Sequence, residues 1–387
     1  MTLRNTNPWR SGVFAAALTF AFGAAPFAAS TGAQAEELPR SMTWSAYDVG
    51  SSGYVEASAV ADALMREHDV RIRIMPSGTS IGRLLPLRTE RVQFGWLANE
   101  VYFATEALYE FASQEWGPQD LRVLLGRPAS FGIGVAGDAG VTDLADLRGK
   151  RVARVQANPS VNIKVEAIMA LADLTWDDVE VVDVPSYGAS LRGLVEGTID
   201  AAGTITTAAT MRELEASARG LVWPNLPPAE DEEAWDRLRE VAPIFEAIDE
   251  TIGAGVSEDN PATLIAYRYP MVTVYAGMSD ETAYAFTRAV VESFDLYKEA
   301  NPAMYRWEAS IAGVPPTDAP FHPGAIRYLE EIGVWTDEHK AWNDARQERL
   351  DAVLAAWDEA MEQALEQQVR GADWEGFWAE YRAEHLD

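Results

Sequence analysis

Residues 42–67 read MTWSAYDVGSSGYVEASAVADALMRE, and this stretch decides the fold class. Met42 to Tyr47, with Thr43, Trp44 and Tyr47, is a strand-forming run. Gly50-Ser51-Ser52-Gly53 is a turn, and Val55 to Glu67 continues as a helix. Strand, hydroxyl-rich turn and helix start form the repeating unit of an α/β protein. The chain repeats it outward from here. Val70 to Met75 alternates as a strand, Ser77 to Ser80 opens a second helix, and the strand Arg91 to Trp96 precedes a helix around Tyr102 to Ala112. Leu121 to Leu125 and Phe131 to Ala136 read as two strand segments flanking Arg127-Pro128, where the chain could cross between lobes.

A second unit uses the same grammar. Thr142 to Lys150 is a capped helical turn, Arg151 to Val155 a strand, and Asn158-Pro159-Ser160 starts the helix Val161 to Ala172. The strand Val179 to Val184, the helix Ala189 to Glu196 closed by Gly197, and the strand Thr198 to Ala202 follow. Pro224 to Glu233 reads as a surface loop, and Met271 to Tyr275 as a strand returning to the first lobe. Helices are expected at Asp280 to Ala300 and His322 to Ile332. From Asp337 onward Trp342, Leu350, Val353, Trp357, Met361 and Leu365 recur at mostly three- and four-residue steps, a helical tail packed on the first lobe, with docking to a membrane partner or a second copy as the alternative.

The N-terminus reads as a targeting segment. Arg4 and Arg10 precede an apolar run from Val13 to Ala29, and Ala33-Gln34-Ala35 is an A-x-A cleavage site. Cleavage after Ala35 implies export, most simply to a bacterial periplasm. The expected divisions are 1–35 signal peptide, 36–127 first lobe, 128–270 second lobe, 271–335 return to the first lobe and 336–387 tail. With no cysteine, disulfides, thiolate metal sites and cysteine nucleophiles are excluded. Against 60 acidic residues stand only 31 Lys and Arg, a net charge of −29, which argues against nucleic acid or an anionic membrane as partner. That acidity reads as adaptation to a saline setting, where screening weakens self-repulsion.

Ser51, Ser52, Thr79, Ser80 and Ser160 stand where strands end and helices begin. Backbone N–H groups and short hydroxyls at such starts cradle a carboxylate, although each hydroxyl also serves as an ordinary N-cap. Ser160 is expected to face the cleft opposite the Ser51/Ser52 loop, with Asn162 on the same helix start. Arg83, Arg127 and Arg154 are candidates for a bidentate carboxylate contact. Tyr54 and Tyr187, among Tyr47, Tyr102 and Tyr267, could give an apolar wall with polar tips. Gly78-Thr79-Ser80-Ile81-Gly82 matches the G-x-S-x-G elbow of serine hydrolases, with His322 as a formal partner, but no oxyanion segment precedes it. The four histidines lack metal-ligand spacing, and no phosphate loop or dinucleotide fingerprint occurs, so neither metal nor cofactor is expected.

The order of motifs resembles the TAXI family, the solute receptors of tripartite (TRAP) secondary transporters. The likeness rests on Gly50-Ser51-Ser52-Gly53, Ser77-Gly78-Thr79-Ser80, Asp143-Leu144-Ala145-Asp146-Leu147-Arg148-Gly149-Lys150, Glu196-Gly197-Thr198-Ile199-Asp200-Ala201 and Phe321-His322-Pro323-Gly324. It implies a type II periplasmic-binding-protein fold, with two hinged lobes closing on a glutamate-like amino acid or dicarboxylate, and no enzymatic turnover. It implies further that the anionic or zwitterionic solute is handed to TRAP membrane subunits; the chain is expected to be a monomer. It places the Ser51/Ser52 and Thr79/Ser80 loops, Asn99, Ser160 and the Tyr187 loop at the cleft. Tyr54, Glu56 and Gly82 depart from the family's usual residues there. The competing expectations are a secreted hydrolase using Ser80 and a receptor for an ABC importer or sensor kinase.

Overall fold

The computed structural model describes residues 38–386; the expected signal peptide and its cleavage site lie outside the described residues. Ten strands form one twisted sheet path: β1 (Ser41–Ala46), β2 (Arg71–Pro76), β3 (Phe94–Leu97), β4 (Leu121–Ala136), β5 (Arg151–Val155), β6 (Glu180–Val184), β7 (Ala201–Thr204), β8 (Leu221–Val222), β9 (Glu246–Glu250) and β10 (Ala262–Tyr275). Their order is β2-β1-β3-β10-β4-β7-β5-β6, with β8 beside β4 and β9 beside β10. The principal helices are α1 (Ser52–His68), α2 (Ser80–Arg88), α3 (Glu100–Thr105), α4 (Pro159–Ala170), α5 (Tyr187–Glu196), α6 (Ala209–Ala216), α7 (Glu232–Val241), α8 (Asp280–Glu292), α9 (Pro323–Glu331), α10 (Asp337–Gln367) and α11 (Ala372–His385).

The two lobes follow from the pairing. β1 runs parallel to β2 and β3 in the first, and β5 runs parallel to β6 and β7 in the second. Between them run β4 and β10, antiparallel to each other from Leu121↔Tyr275 to Phe131↔Ile265. One end of β10 pairs with β3 through Val272↔Trp96, and the far end of β4 pairs with β7 through Ile133↔Gly203. These two strands are the hinge. The arrangement is α/β, the two-lobed type II periplasmic-binding-protein fold with a helical C-terminal tail.

Several readings of the sequence change: the helix around Tyr102 is short, Glu100–Thr105, and the helix from Asp280 ends at Glu292. Leu121 to Ala136 is one continuous strand, because nearly every residue is buried between layers and Arg127-Pro128 does not interrupt it. β10 starts at Ala262, ahead of Met271; Pro270 cannot donate to a ladder, and the register shifts between Arg268 and Met271 to accommodate it. The acidic segment after Pro224 runs into α7, capped by Asp231, whose side chain accepts from the Ala234 N–H at 3.3 Å.

The first-lobe core is aromatic. Trp44 stacks on Trp96 at 5.4 Å, Trp96 meets Trp307 at 5.0 Å, and Phe94 stacks on Phe286 at 4.0 Å. The tail forms its own small core of Val353, Trp357, Trp374, Trp378 and Tyr381 around Ala107. Indole N–H groups of Trp374 and Trp378 donate to the carbonyls of Ala112 (2.7 Å) and Ala107 (2.9 Å), fixing the tail to the segment after α3.

Candidate functional site

The helix starts picked out in the sequence face one another across a seam between the lobes. Thr79 caps α2, accepting from the Gly82 N–H at 3.0 Å, as Ser51 caps α1 by accepting from Tyr54 N–H at 3.2 Å. The free first-turn amides of α2 point at the other lobe: the N–H groups of Ser80 and Ile81 donate to the carbonyl of Ala157 at 3.0 and 3.4 Å. In return Asn158 Nδ2 donates to the Gly78 carbonyl at 3.0 Å, and Ser80 Oγ donates to Asn158 Oδ1 at 2.8 Å. The Tyr187 N–H also donates to the Gly78 carbonyl, at 3.1 Å. Gly78 is required by close approach. A Cβ there would sit 2.5 Å from Ser186 Cβ and 2.3 Å from Asp48 Oδ2. Asp48 itself reaches across to the second lobe, accepting from the Gly188 N–H at the start of α5 at 2.8 Å, where the helix dipole favours a carboxylate.

At the centre of the seam lies Lys164, buried on α4. Its Nζ donates to Asn99 Oδ1 at 2.8 Å and to Ser160 Oγ at 3.2 Å, and it sits over the rings of Tyr267 and Phe131 at 4.3 and 4.8 Å. Ser160 also accepts from the Tyr47 hydroxyl at 3.3 Å. Asn99 continues the chain, its Nδ2 donating to Asp318 Oδ2 at 2.9 Å. Burial lowers Lys164 to about 7, against the opposing pull of Glu100 and Asp318. Burial likewise raises Asp318 to about 7, opposed by the Asn99 hydrogen bond and by Lys164.

A carboxyl protonated more readily in the folded than in the unfolded chain removes stability as pH rises from its ordinary value toward its folded one. Asp318 should therefore weaken the fold between about pH 4 and 7, at roughly 1.4 kcal/mol per pKa unit. Asp318→Asn is expected to remove that slope and to gain on the parent at neutral pH, in urea melts across this range. Parallel pH profiles for parent and variant would refute it.

The candidate arginines are engaged by protein carboxylates. Arg127 is buried on β4 and gives Nε to Glu56 Oε2 at 2.6 Å and a second contact to Glu56 Oε1; Trp307 Nε1 donates to the same carboxylate at 2.8 Å. Arg83 gives Nε to Glu100 at 2.8 Å and lies 3.3 Å over the Tyr47 ring. Arg154 pairs with Asp183 on the surface. Among the remaining candidates, Ser80, Asn99, Ser160 and Tyr187 meet at the seam, Ser160 opposite Tyr47 and one turn before Lys164 on the same helix. Ser52 is buried at the start of α1. Tyr54 is partly buried on the core. Asn162 turns back to Val155, bonding its N–H and carbonyl at 2.9 and 2.7 Å.

Sequence reading missed Asp48, Asn158, Lys164 and Asp318. Asp48 and Asn158 adjoin the turns that were singled out, whereas Lys164 and Asp318 carry no local signal. Ser80 has no imidazole beside it: its hydroxyl contacts Asn158 and Arg83 Nη2 (3.2 Å), while His322 caps α9 by accepting from Gly324 N–H at 3.1 Å. Among the described residues no cluster of His, Asp and Glu could hold a metal ion, and no helix is long and apolar enough to cross a membrane.

Two cavities adjoin this cluster. One, among Tyr47, Lys164, Tyr187, Tyr267 and Tyr269, measures about 10 Å³, the space of a single water. The other, on the far side of Tyr267, measures about 1090 Å³ and reaches from Asn99 to the tail.

Similar solved structures, all of low identity, include binding proteins for several solutes. MatC from Rhodopseudomonas palustris with bound malate is 15% identical, with 79% of this chain and 98% of that one covered and a TM-score of 0.49. The alkanesulfonate-binding protein SsuA from Xanthomonas axonopodis pv. citri bound to MOPS is 16% identical over 80% and 85% of the two chains, with a TM-score of 0.41. The amino acid ABC transporter substrate-binding protein AbpA from Streptococcus pneumoniae, bound to L-arginine, is 11% identical over 68% and 96%, at 0.39. No curated protein matches the chain. A family model does, over residues 48–333, which take in the hinge strands and every helix start on the seam. The chain belongs to the NMT1-like family.

Proposed function

We propose that this protein is an exported, monomeric receptor that binds a small organic acid or amino acid between its lobes and delivers it to a TRAP-type secondary transporter. The observation that carries the reading is the seam itself: two lobes joined by β4 and β10 meet through helix-start amides, hydroxyls and one buried lysine. Such groups are suited to a carboxylate, because each donates a hydrogen bond and Lys164 adds charge. Opening about the hinge would part Ala157 from Ser80 and Asp48 from Gly188, freeing the α2 amides. The proposed ligand shell is Thr79, Ser80, Asn99, Ser160, Lys164 and Tyr187, with Ser51 and Ser52 behind it. The names of the similar structures, which include malate and arginine among bound solutes, accord with a receptor. The motif order noted in the sequence favours the TRAP system over an ATP-driven importer.

The test is a thermal-shift screen over organic acids and amino acids, since a ligand that binds only the folded chain raises its melting temperature. Lys164→Met is expected to weaken the best hit about tenfold or more by removing a charge-assisted contact. The same change should leave the melting temperature of the protein alone equal or higher, because it removes a buried amine. Unchanged affinity in titration calorimetry would move the site away from the seam. A screen in which no acid or amino acid shifts melting would sink the receptor reading.

A further inference from the structure

The larger cavity is chemically unlike the seam and unlike the rest of the molecule. Its walls come from α3, the middle of β10, the turn after α7 and the tail. Acids outnumber bases by 60 to 31 in the chain, yet five arginines and four carboxyl groups line this pocket. Glu106, one of the four, is held by Arg346, Arg349 and Arg382, and Glu246 lies 3.6 Å from Arg239.

Arg268 stands apart. Its Nη1 donates to the carbonyls of Gly126 and Ile311, both at 2.8 Å, and its Nη2 to that of Pro315 at 3.3 Å. None of its hydrogen bonds goes to a carboxylate: backbone carbonyls fix the guanidinium at the pocket wall, and Asp318, which lines the same pocket, is the acid whose charge acts on it. The same lining includes apolar and aromatic side chains, Tyr102, Tyr109, Tyr267, Val241, Ile244 and Trp342. The volume suits a ligand larger than an amino acid, since drug-sized molecules occupy pockets of roughly 300–1,000 Å³.

We propose that this pocket is a second binding site, for organic anions with a bulky apolar or aromatic body, the carboxylate lying against Arg268 and the body between Tyr102, Ile244 and Trp342. Trp342, Arg346, Arg349, Arg382 and Leu386 belong to the tail, beyond residue 333 where the family match ends, so the tail completes the site. Asn99 lines the pocket and also holds Lys164, which places the two sites in contact through one side chain. The inference is independent of what the seam binds.

Titration calorimetry of the exported chain with cinnamate and phenylacetate tests it, with cinnamamide as the neutral control and glutamate and malate as seam probes. Cinnamate should bind at millimolar concentration or tighter, and cinnamamide about tenfold more weakly, having lost the charge-assisted contact. Ile244→Trp fills the pocket from a half-buried position and should abolish cinnamate binding without changing the melting temperature or any glutamate or malate binding. Arg268→Gln should weaken cinnamate about tenfold or more. Because Arg268 also ties three carbonyls, the Ile244 variant decides the matter if Arg268→Gln fails to fold. No binding of either aromatic acid at millimolar concentration overturns the proposal. So does equal affinity for acid and amide, or cinnamate binding indifferent to Ile244→Trp. If the seam probes bind while the aromatic acids do not, the receptor reading stands and this inference falls.

Discussion

Glu56→Ala is expected to destabilise the folded chain by about 3–5 kcal/mol, the cost of stranding a buried charge. Glu56 is wholly buried on α1 and accepts from both Nε and Nη2 of Arg127 and from the indole of Trp307. Removing the carboxylate leaves the Arg127 guanidinium, itself 1% exposed, with only the Pro128 carbonyl, and leaves the Trp307 N–H unpaired. The loss falls where α1 is anchored to the hinge strand β4, so it should appear in the global transition. Urea unfolding of parent and variant measures it. Glu56→Gln keeps an acceptor for Trp307 and should lose less than the alanine change. A loss under about 1 kcal/mol for Glu56→Ala would mean that the pair is not the anchor it looks like.

The second large effect is local. Glu106 follows α3, and its carboxylate receives Arg346 Nη1 at 2.6 Å, Arg349 Nη2 at 2.9 Å and Arg382 Nη2 at 2.8 Å. Those arginines come from both tail helices, so one carboxylate ties the tail to the first lobe. Glu106→Ala should loosen it by about 2–3 kcal/mol, reduced from the fully buried figure because Arg349 is partly solvated. Faster cleavage by a protease between residues 337 and 385, with the sheet unaffected, is the expected readout; equal cleavage rates would show that the tryptophans hold the tail unaided. The pH sign is fixed by the same geometry. Burial pushes Glu106 up, but hydrogen bonds from Arg349 and Arg346 outweigh it and hold the carboxyl below its usual range. A depressed carboxyl contributes stability above its unfolded pKa and loses it as pH falls through the folded one. Acid below the ordinary glutamate range should therefore free the tail first.

Much of the fold was legible because its signals are local. The strand at Met42, the hydroxyl turn at Ser51-Ser52 and the helix behind them are written in adjacent residues, and the same holds for Ser77–Ser80 and Asn158–Ser160. The hinge was legible only in part, since Pro128 and Pro270 punctuate strands that pairing nevertheless carries through. For the site, short-range grammar identified helix starts but not their partners. Asn99 and Lys164 lie 65 positions apart, Arg127 and Glu56 71, and Asn99 and Asp318 219. Arg127 looked available for a ligand because nothing near it in sequence announces Glu56. Lys164 was passed over because a lysine within an apolar helix gives no sign of which element it will face.

The position of β10 governs how the molecule can assemble. This strand lies between β3 and β4 in the sheet, and Leu97 finds its neighbour in Met271 only after the whole second lobe has intervened in the chain. A chain growing or emerging from its N-terminus therefore cannot finish the first lobe until residues of β10 arrive. Until then β3 presents an open edge between Trp96 and solvent. Closing so long a loop comes before any contact rewards it, which makes this pairing a slow, late event. The two lobes are thus a single unit in folding, and the first cannot be cut out as an independent domain.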